Sequence, residues 1–368
     1  TLDRAGFAVA ARHRRHLTAK LLYFLCSDAP KVRLVLEELG RRHGGPPLHN
    51  PRAARWVDLG CGLGATSVGA VLSLPADIDR LHVTLVDVDP VNLDIATATV
   101  RAAASVVGID VEVDAHEGDL TTWDLADESD LVLCQAALNE LAEGSAPDPA
   151  ASPTAGPERL DDRVRRWAHD RWCVLIEPAL RITTRPLHAL RDRLIADGRC
   201  TVLAPCPHQL ACPMLELERD WCHEVRRNAP APMVATVQRL TRRRDDRTKF
   251  SFVVLGPPCA DRPLPTNPDD VIAGRLVSDP LRTKGKTERL LCTTSGALVR
   301  LRLLDREQRP ANQELADAPR GVLVAVAGDT STPRIGPDAT VRRIGDASGS
   351  ISTDRSAPPR LPASEREQ

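Results

Sequence analysis

From about residue 53 short apolar runs alternate with longer stretches whose apolar positions recur at helical spacing. The runs cover residues 55–59, 82–88, 111–115, 130–134, 173–176 and 200–203, each the length of a buried strand. Helices are predicted between them over 66–74, 90–107, 157–170 and 186–197, and Pro90 suits the first turn of the second. Strand and helix in alternation mean a parallel sheet with helices on its faces, and 249–255 is expected to add the last strand. Ahead of this lies a helical extension, residues 1–50, with Leu17, Leu21, Leu22 and Leu25, then Val32, Leu34, Val35, Leu36 and Leu39. It stops at Gly44-Gly45-Pro46-Pro47.

A chain of 368 residues exceeds one ordinary domain, so two folded units with appendages are expected. The alternating region sets the first at 51–256, an α/β unit carrying a cysteine-rich insertion at 204–248. A small β-rich unit follows at 257–328, centred on 290–292 and 298–304. From 329 to 368 Ser, Thr, Pro, Asp and Arg dominate, and a disordered tail is expected. No apolar run approaches the roughly 18 residues of a membrane span. Residues 1–15 hold no apolar stretch ending in a small-residue cleavage site, so no secretory signal is expected. A reducing compartment, the bacterial cytoplasm, is the expectation, which turns ten cysteines from staples into candidate ligands.

The net charge of -1 conceals a division. Residues 77–145 hold 16 Asp and Glu against 2 Arg, while 1–50, 219–250 and 281–309 are basic. The basic segments point to a polyanion such as RNA, with Arg14, Arg15, Arg242, Arg243, Arg244 and Arg247 as first candidates for phosphate contacts; solvated helix faces give similar counts.

The sharpest motif is Asp58-Leu59-Gly60-Cys61-Gly62-Leu63-Gly64, where a strand must turn into a helix. Glycines there let backbone pass close to a ligand, and the helix N-terminus offers N–H groups to it. The dinucleotide pattern G-x-G-x-x-G is not completed, since Ala65 stands at the third glycine. The motif resembles motif I of the S-adenosylmethionine-dependent methyltransferases. Two further elements follow in order: Asp87 ends the next strand, where a carboxylate binds ribose hydroxyls, and Asp119 follows the third, where the resembled family places an Asp near the adenine amine. The resemblance implies a Rossmann-like class I sheet, with Asp58, Gly60, Gly62, Gly64, Asp87 and Asp119 as cofactor residues. The other reading is a nucleotide fold whose glycines only turn the chain or bind another nucleotide.

After the fourth strand stands Cys134-Gln135-Ala136-Ala137-Leu138-Asn139-Glu140-Leu141, without the prolines and aromatic that amino-group methylation of bases commonly uses. Cys134 lacks the Pro-Cys setting of cytosine C5 chemistry and reads as core. Glu140 faces the methyl acceptor or serves as a helix-dipole partner.

Three cysteines and two histidines fall within Cys206-Pro207-His208, Cys212-Pro213 and Trp221-Cys222-His223. Their spacing is not that of a zinc finger, whose cysteine pairs lie two to four residues apart. Three thiolates with a distant fourth suit an iron–sulfur cluster; a zinc site, or buried cysteines without a metal, are the other possibilities. With few apolar residues and prolines at 205, 207 and 213, the segment is expected to draw cohesion from metal bonds.

These blocks, with Leu138-Asn139-Glu140-Leu141, Ile176-Glu177-Pro178 and residues 249–255, resemble the small ribosomal subunit methyltransferase-like family, relatives of the mitochondrial methyltransferase-like protein seventeen. The resemblance runs from about 53 to 296. It implies a 4Fe-4S cluster on Cys206, Cys212, Cys222 and, from the C-terminal unit, Cys292, with His208 and His223 outside the ligand set. It implies S-adenosylmethionine as cofactor and the small ribosomal subunit and its RNA as partners. This chain departs from the family at Ala179, where glycine is usual. Two functions follow: a methyltransferase acting on ribosomal RNA, or a non-catalytic assembly factor that keeps fold and metal as structure. A zinc-stabilised RNA-binding protein is a third class.

Overall fold

The computed structural model describes residues 14–120, 122–125, 128–143, 160–227, 230–242, 247–258, 264–328 and 334–344. Helix α1 (Arg14–Ala19) runs through a π-helical stretch, Lys20–Leu25, into α2 (Cys26–His43). Then β1 (Ala53–Leu59), α3 (Ala65–Val71), β2 (Arg80–Asp87), α4 (Pro90–Val107), β3 (Asp110–Glu117), β4 (Leu131–Gln135), α5 (Leu138–Glu143), α6 (Leu160–Trp167), β5 (Trp172–Pro178), α7 (Arg181–Ile195) and β6 (Thr201–Ala204) alternate. After the cysteine loop come β7 (Glu224–Arg227), α8 (Pro232–Leu240) and β8 (Arg247–Gly256).

These strands form one eight-stranded sheet in the order β3-β2-β1-β4-β5-β8-β6, with β7 also on β8. β1 to β5 run parallel, and β8 is antiparallel to β5, β6 and β7. That is the Rossmann-like class I methyltransferase sheet, with its reversed strand inserted beside β5. β5 occupies one edge of β8 along Phe250–Leu255. β6 and β7 therefore share the other edge, pairing its end near Gly256 and its start near Arg247 respectively. The cysteine loop is thus an excursion between β6 and β7 that leaves and returns to the same edge of β8.

Period-two alternation sorts the strand side chains between two cores. Ala54, Trp56, Leu131, Leu133, Val174 and Ile176 join Val32, Val35 and Leu39 of α2 on one face. Val57, Leu59, Val132, Cys134, Cys173 and Leu175 join Val164, Trp167, Leu187 and Leu190 of α6 and α7 on the other. The helical extension is therefore no appendage: its apolar stripe completes the first core. The helix expected at 186–197 starts earlier, at Arg181, because Thr183 bonds back to the Pro178 carbonyl at 2.6 Å and Pro186 is accommodated inside the helix. Of the helix expected at 157–170, residues 157–159 lie outside the described residues.

The second unit is a seven-stranded sheet of β9 (Asp270–Leu276), β10 (Leu281–Thr283), β11 (Lys286–Thr293), β12 (Leu298–Leu304), β13 (Leu323–Ala327), β14 (Arg334–Ile335) and β15 (Thr340–Arg343), with a short helix α9 (Glu314–Asp317). The boundary expected at 328 falls short. Ile335 and Val341 are buried in this unit's core, β14 pairs with β12, and β15 with β13. One or two apolar residues per strand sufficed, below the density that marks a strand in sequence. The rest of the expected tail, 345–368, lies outside the described residues.

Candidate functional site

The carboxyl ends of β1, β2 and β3 bring the three sequence elements together. Gly60 N and Cys61 N donate to the Val86 carbonyl at 2.8 and 3.0 Å, which ties the glycine loop to the end of β2. Gly62 N donates to Asp87 Oδ2 at 2.8 Å, while Asp89 N and Asn92 Nδ2 donate to Oδ1 at 3.0 and 3.1 Å. Gly118 N donates to the Asp87 carbonyl at 3.0 Å and so sets the exposed Asp119 beside this edge. The glycines differ in purpose. At Gly60, φ is +66° and a Cβ would lie 2.6 Å from that of Ala137, so glycine is needed for the approach of the β4 turn. At Gly62, φ is +53° and a Cβ would meet nothing within 4 Å, which leaves open space along the loop.

Asp58 lies on the α3 face, fully buried. Its Oδ2 accepts from Ser67 N at 3.1 Å and Ser67 Oγ at 2.7 Å, and Trp56 Nε1 donates to the same hydroxyl at 3.1 Å. Asp58 therefore anchors the first turn of α3 as well as facing the loop, a role that Ser67 alone could not have revealed in sequence. Oδ1 has no hydrogen-bond partner, and burial pushes the carboxyl up to about 7 against the pull of the Ser67 bonds. A buried acceptor of this kind suits a cationic group on a ligand.

At the end of β4 the chain makes an unusual turn. Ala136 has φ +58°, a strained value for a residue with a Cβ, and its N–H donates to the Ile176 carbonyl at 2.8 Å. Cys134 is core, its thiol pushed up by burial and by Glu177. Glu177 is 2% exposed at the end of β5, and neither carboxyl oxygen completes a hydrogen bond. Burial raises its carboxyl to about 7, and the Asn139 and Leu138 amides of α5, which point toward it without closing a hydrogen bond, offset that rise only in part. Sequence noted Glu177 only through a resemblance; an acid closing a wholly apolar strand was the signal available.

Of the four cysteines expected as ligands, Cys206 belongs to the core under α6 and α7, close enough to act on the charges of the other three. Cys212 and Cys292 share a buried cluster with Met214 and Val277, and Cys222 packs against it. Burial raises the Cys212 thiol to about 12, with Cys206 the next cause, and Cys222 and Cys292 are each raised by burial and by Cys206 and Cys212. Four cysteine thiols are the donor number that an iron–sulfur cluster generally takes. Among the described residues no group of three or more His, Cys, Asp or Glu side chains is placed to hold a single metal ion. His208 Nδ1 accepts from Leu210 N at 3.1 Å, so Nε2 carries the proton that it directs at Cys292 Sγ, 3.3 Å away. Burial and Arg191 lower His208 to about 4, which keeps it neutral. His223 Nδ1 donates to the Trp221 carbonyl at 3.1 Å.

Of the expected phosphate contacts, Arg242 and Arg247 are exposed after α8 and at the start of β8. Arg243 and Arg244, and the side chains of Arg14 and Arg15, lie outside the described residues. No helix among the described residues is long and apolar enough to cross a membrane.

Solved structures with similar sheets include a Listeria monocytogenes protein assigned to the class I S-adenosylmethionine-dependent methyltransferases, with 13% identity over 70% of this chain and 68% of that one and a TM-score of 0.38. A human methyltransferase 10 domain containing protein has 10% identity over 62% and 82%, TM-score 0.33. A tRNA methyltransferase of B. subtilis has 11% over 64% and 66%, TM-score 0.31. At such scores the strand order, and not the likeness, carries the assignment of fold. No curated protein sequence matches. The family model described as mitochondrial small ribosomal subunit Rsm22 matches residues 121–309, from the turn after β3 through the cysteine loop to beyond Cys292, more than half of the chain. With its matched span taking in the β4 and β5 ends and all four of these cysteines, the chain belongs to the Rsm22 family.

Proposed function

We propose that the chain is an S-adenosylmethionine-binding, methyltransferase-like factor of the small ribosomal subunit, working on its RNA or in its assembly, with a 4Fe-4S cluster on Cys206, Cys212, Cys222 and Cys292. The observation that carries the cofactor reading is the Asp87 carboxylate on Gly62 N at 2.8 Å, beside a loop with room at Gly62. Asp87 keeps acceptor capacity for ribose hydroxyls, Asp58 Oδ1 suits the ammonium of the methionine part, and Asp119 is assigned to the adenine side. When bound, the cofactor supplies an electrophilic methyl group; the chain's part is to orient it and to exclude water. Arg242 and Arg247 are assigned to RNA phosphates. The described cysteines are all free, which fits the reducing bacterial cytoplasm we assign as compartment.

A second reading, an assembly factor that binds the cofactor and methylates nothing, is favoured by the β4 turn. Gln135 to Glu140 offers no aromatic to stack on a base. Calorimetry with S-adenosylmethionine tests the shared part: the wild type binds, and Asp87→Ala does not. Labelled methyl transfer to naked small-subunit RNA and to immature subunits then separates the two. Equal affinity in wild type and Asp87→Ala would remove the cofactor assignment.

A further inference from the structure

The loop between β6 and β7 carries its cysteines on irregular backbone, whose carbonyls need partners when they are buried. They find guanidinium groups. One face of α7 presents Arg181, Arg185 and Arg191 in succession. Arg181 Nε donates to Glu218 O at 2.9 Å. Arg185 reaches Leu217 O at 2.6 Å, Leu215 O at 2.7 Å and Asp220 O at 3.1 Å. Arg191 donates to His208 O at 2.8 Å and to Leu210 O, and Asp192 Oδ2 accepts from Cys212 N at 2.9 Å.

Three more arginines come from elsewhere in the fold. Arg42 of α2 donates to Cys206 O at 3.3 Å and Arg275 of β9 to Pro205 O at 3.2 Å. Arg320, just before β13, donates to His223 O at 2.8 Å and Trp221 O at 3.3 Å. Arg191, Arg275 and Arg320 are buried, and the carboxylates paired with this set are Glu38, Glu224 and Asp192. Among the described residues the three buried guanidinium groups are thus matched one for one, and the surplus comes from the half-buried Arg42 and Arg185 at the edge of the loop. A surplus of positive charge partly withdrawn from water is costly unless an anion stands beside it.

We infer that this arginine frame folds the cysteine loop before any metal arrives and selects an anionic, thiolate-bound occupant for it. The inference rests on the cluster reading for the identity of the occupant alone. On this inference the loop's cohesion comes first from charge-assisted bonds to its carbonyls, from α7, α2, β9 and the turn before β13, and the occupant compensates their charge. Arg185, remote in its contacts from the cysteines' own residues, is a clamp; Arg191 is a positioning residue for the occupant.

The test uses the full chain under anaerobic conditions, as purified and after iron removal by chelation, with hydrogen exchange and limited proteolysis read over residues 205–223. The iron-free wild type is expected to protect the loop as the loaded protein does. Arg185→Met is expected to raise cleavage there about tenfold in both forms, the loss of one multiply bonded charged donor. Arg191→Met is expected to speed iron loss and lower the cluster's reduction potential, with Arg191→Lys recovering the potential in part. A loop that opens on iron removal in the wild type would overturn the frame while leaving the cluster standing. Protection that persists in a protein that never takes up iron would uphold the frame and sink the cluster. An Arg191→Met protein with unchanged potential would remove the charge argument.

Discussion

The glycine loop and the cysteine loop both leave strands of one sheet, yet they are built with opposite charge. Around the glycine loop the side chains are acceptors: Asp58, Asp87 and, one strand further, Glu177, with burial raising Asp58 and Glu177 to about 7. Around the cysteine loop they are donors, guanidinium groups on backbone carbonyls. A sulfonium cofactor is cationic and a cluster held by four thiolates is anionic, so each loop's frame opposes the charge of the group proposed for it. The difference teaches a second lesson about distance. The glycine loop is held by residues from the next two strand ends, while the cysteine loop depends on Arg42, Arg275 and Arg320, which come from far along the chain.

The largest effect is expected where that long-range frame is densest. Arg275 bonds both oxygens of Glu38 at 2.6 and 3.0 Å and Glu224 Oε1 at 2.8 Å, all three side chains buried. Arg275→Met would leave two buried carboxylates without their main partner, and a loss of about 3–5 kcal/mol in denaturant unfolding is expected. Although burial works to raise it, Glu38 is held near 2 by Arg275, Arg42 and Arg226. Its contribution is therefore present above its unfolded value of 4.5 and lost as pH falls toward 2. A loss below about 1 kcal/mol would break the contrast between the two loops.

Glu177 gives the opposite sign. Its folded carboxyl, near 7, holds a proton more tightly than the unfolded one at 4.5, so its contribution is full below 4.5 and is lost as pH rises through 7. The wild type is expected to lose up to about 3 kcal/mol from this group between pH 5 and 8. Glu177→Gln should flatten that fall in unfolding curves taken across the range. Parallel pH profiles for the two proteins would show that the carboxyl is not burdened by burial.

The smallest effect separates the two glycines. Gly60→Ala is expected to cost about 2 kcal/mol or more, since its Cβ meets Ala137 at 2.6 Å and φ is positive. Gly62→Ala carries only the backbone strain, about 1 kcal/mol, and its loss is expected to appear in S-adenosylmethionine affinity instead. Thermal unfolding and calorimetry on the pair check it; equal stability losses would deny Gly62 its open approach.

The sequence by itself determined the elements whose signals are local. The alternation of strand and helix, the glycine loop at a strand-to-helix turn and the close spacing of Cys206, Cys212 and Cys222 all lie in short patterns, because period and spacing act over a few residues; Cys292 entered only through the resemblance. The sequence also carried β8, though not its place between β5 and β6, since antiparallel insertion is a matter of pairing and not of pattern. Only the tertiary structure decided the rest. It put β14 and β15 into the second sheet through single buried residues such as Ile335 and Val341. It made α2 part of the first core and assigned Asp58 to Ser67. It turned arginines that look like solubilising charge into the frame of the cysteine loop. The physical reason is common to these cases: a buried polar side chain is defined by its partner, and in this fold the partner of Arg275 is Glu38, 237 positions away.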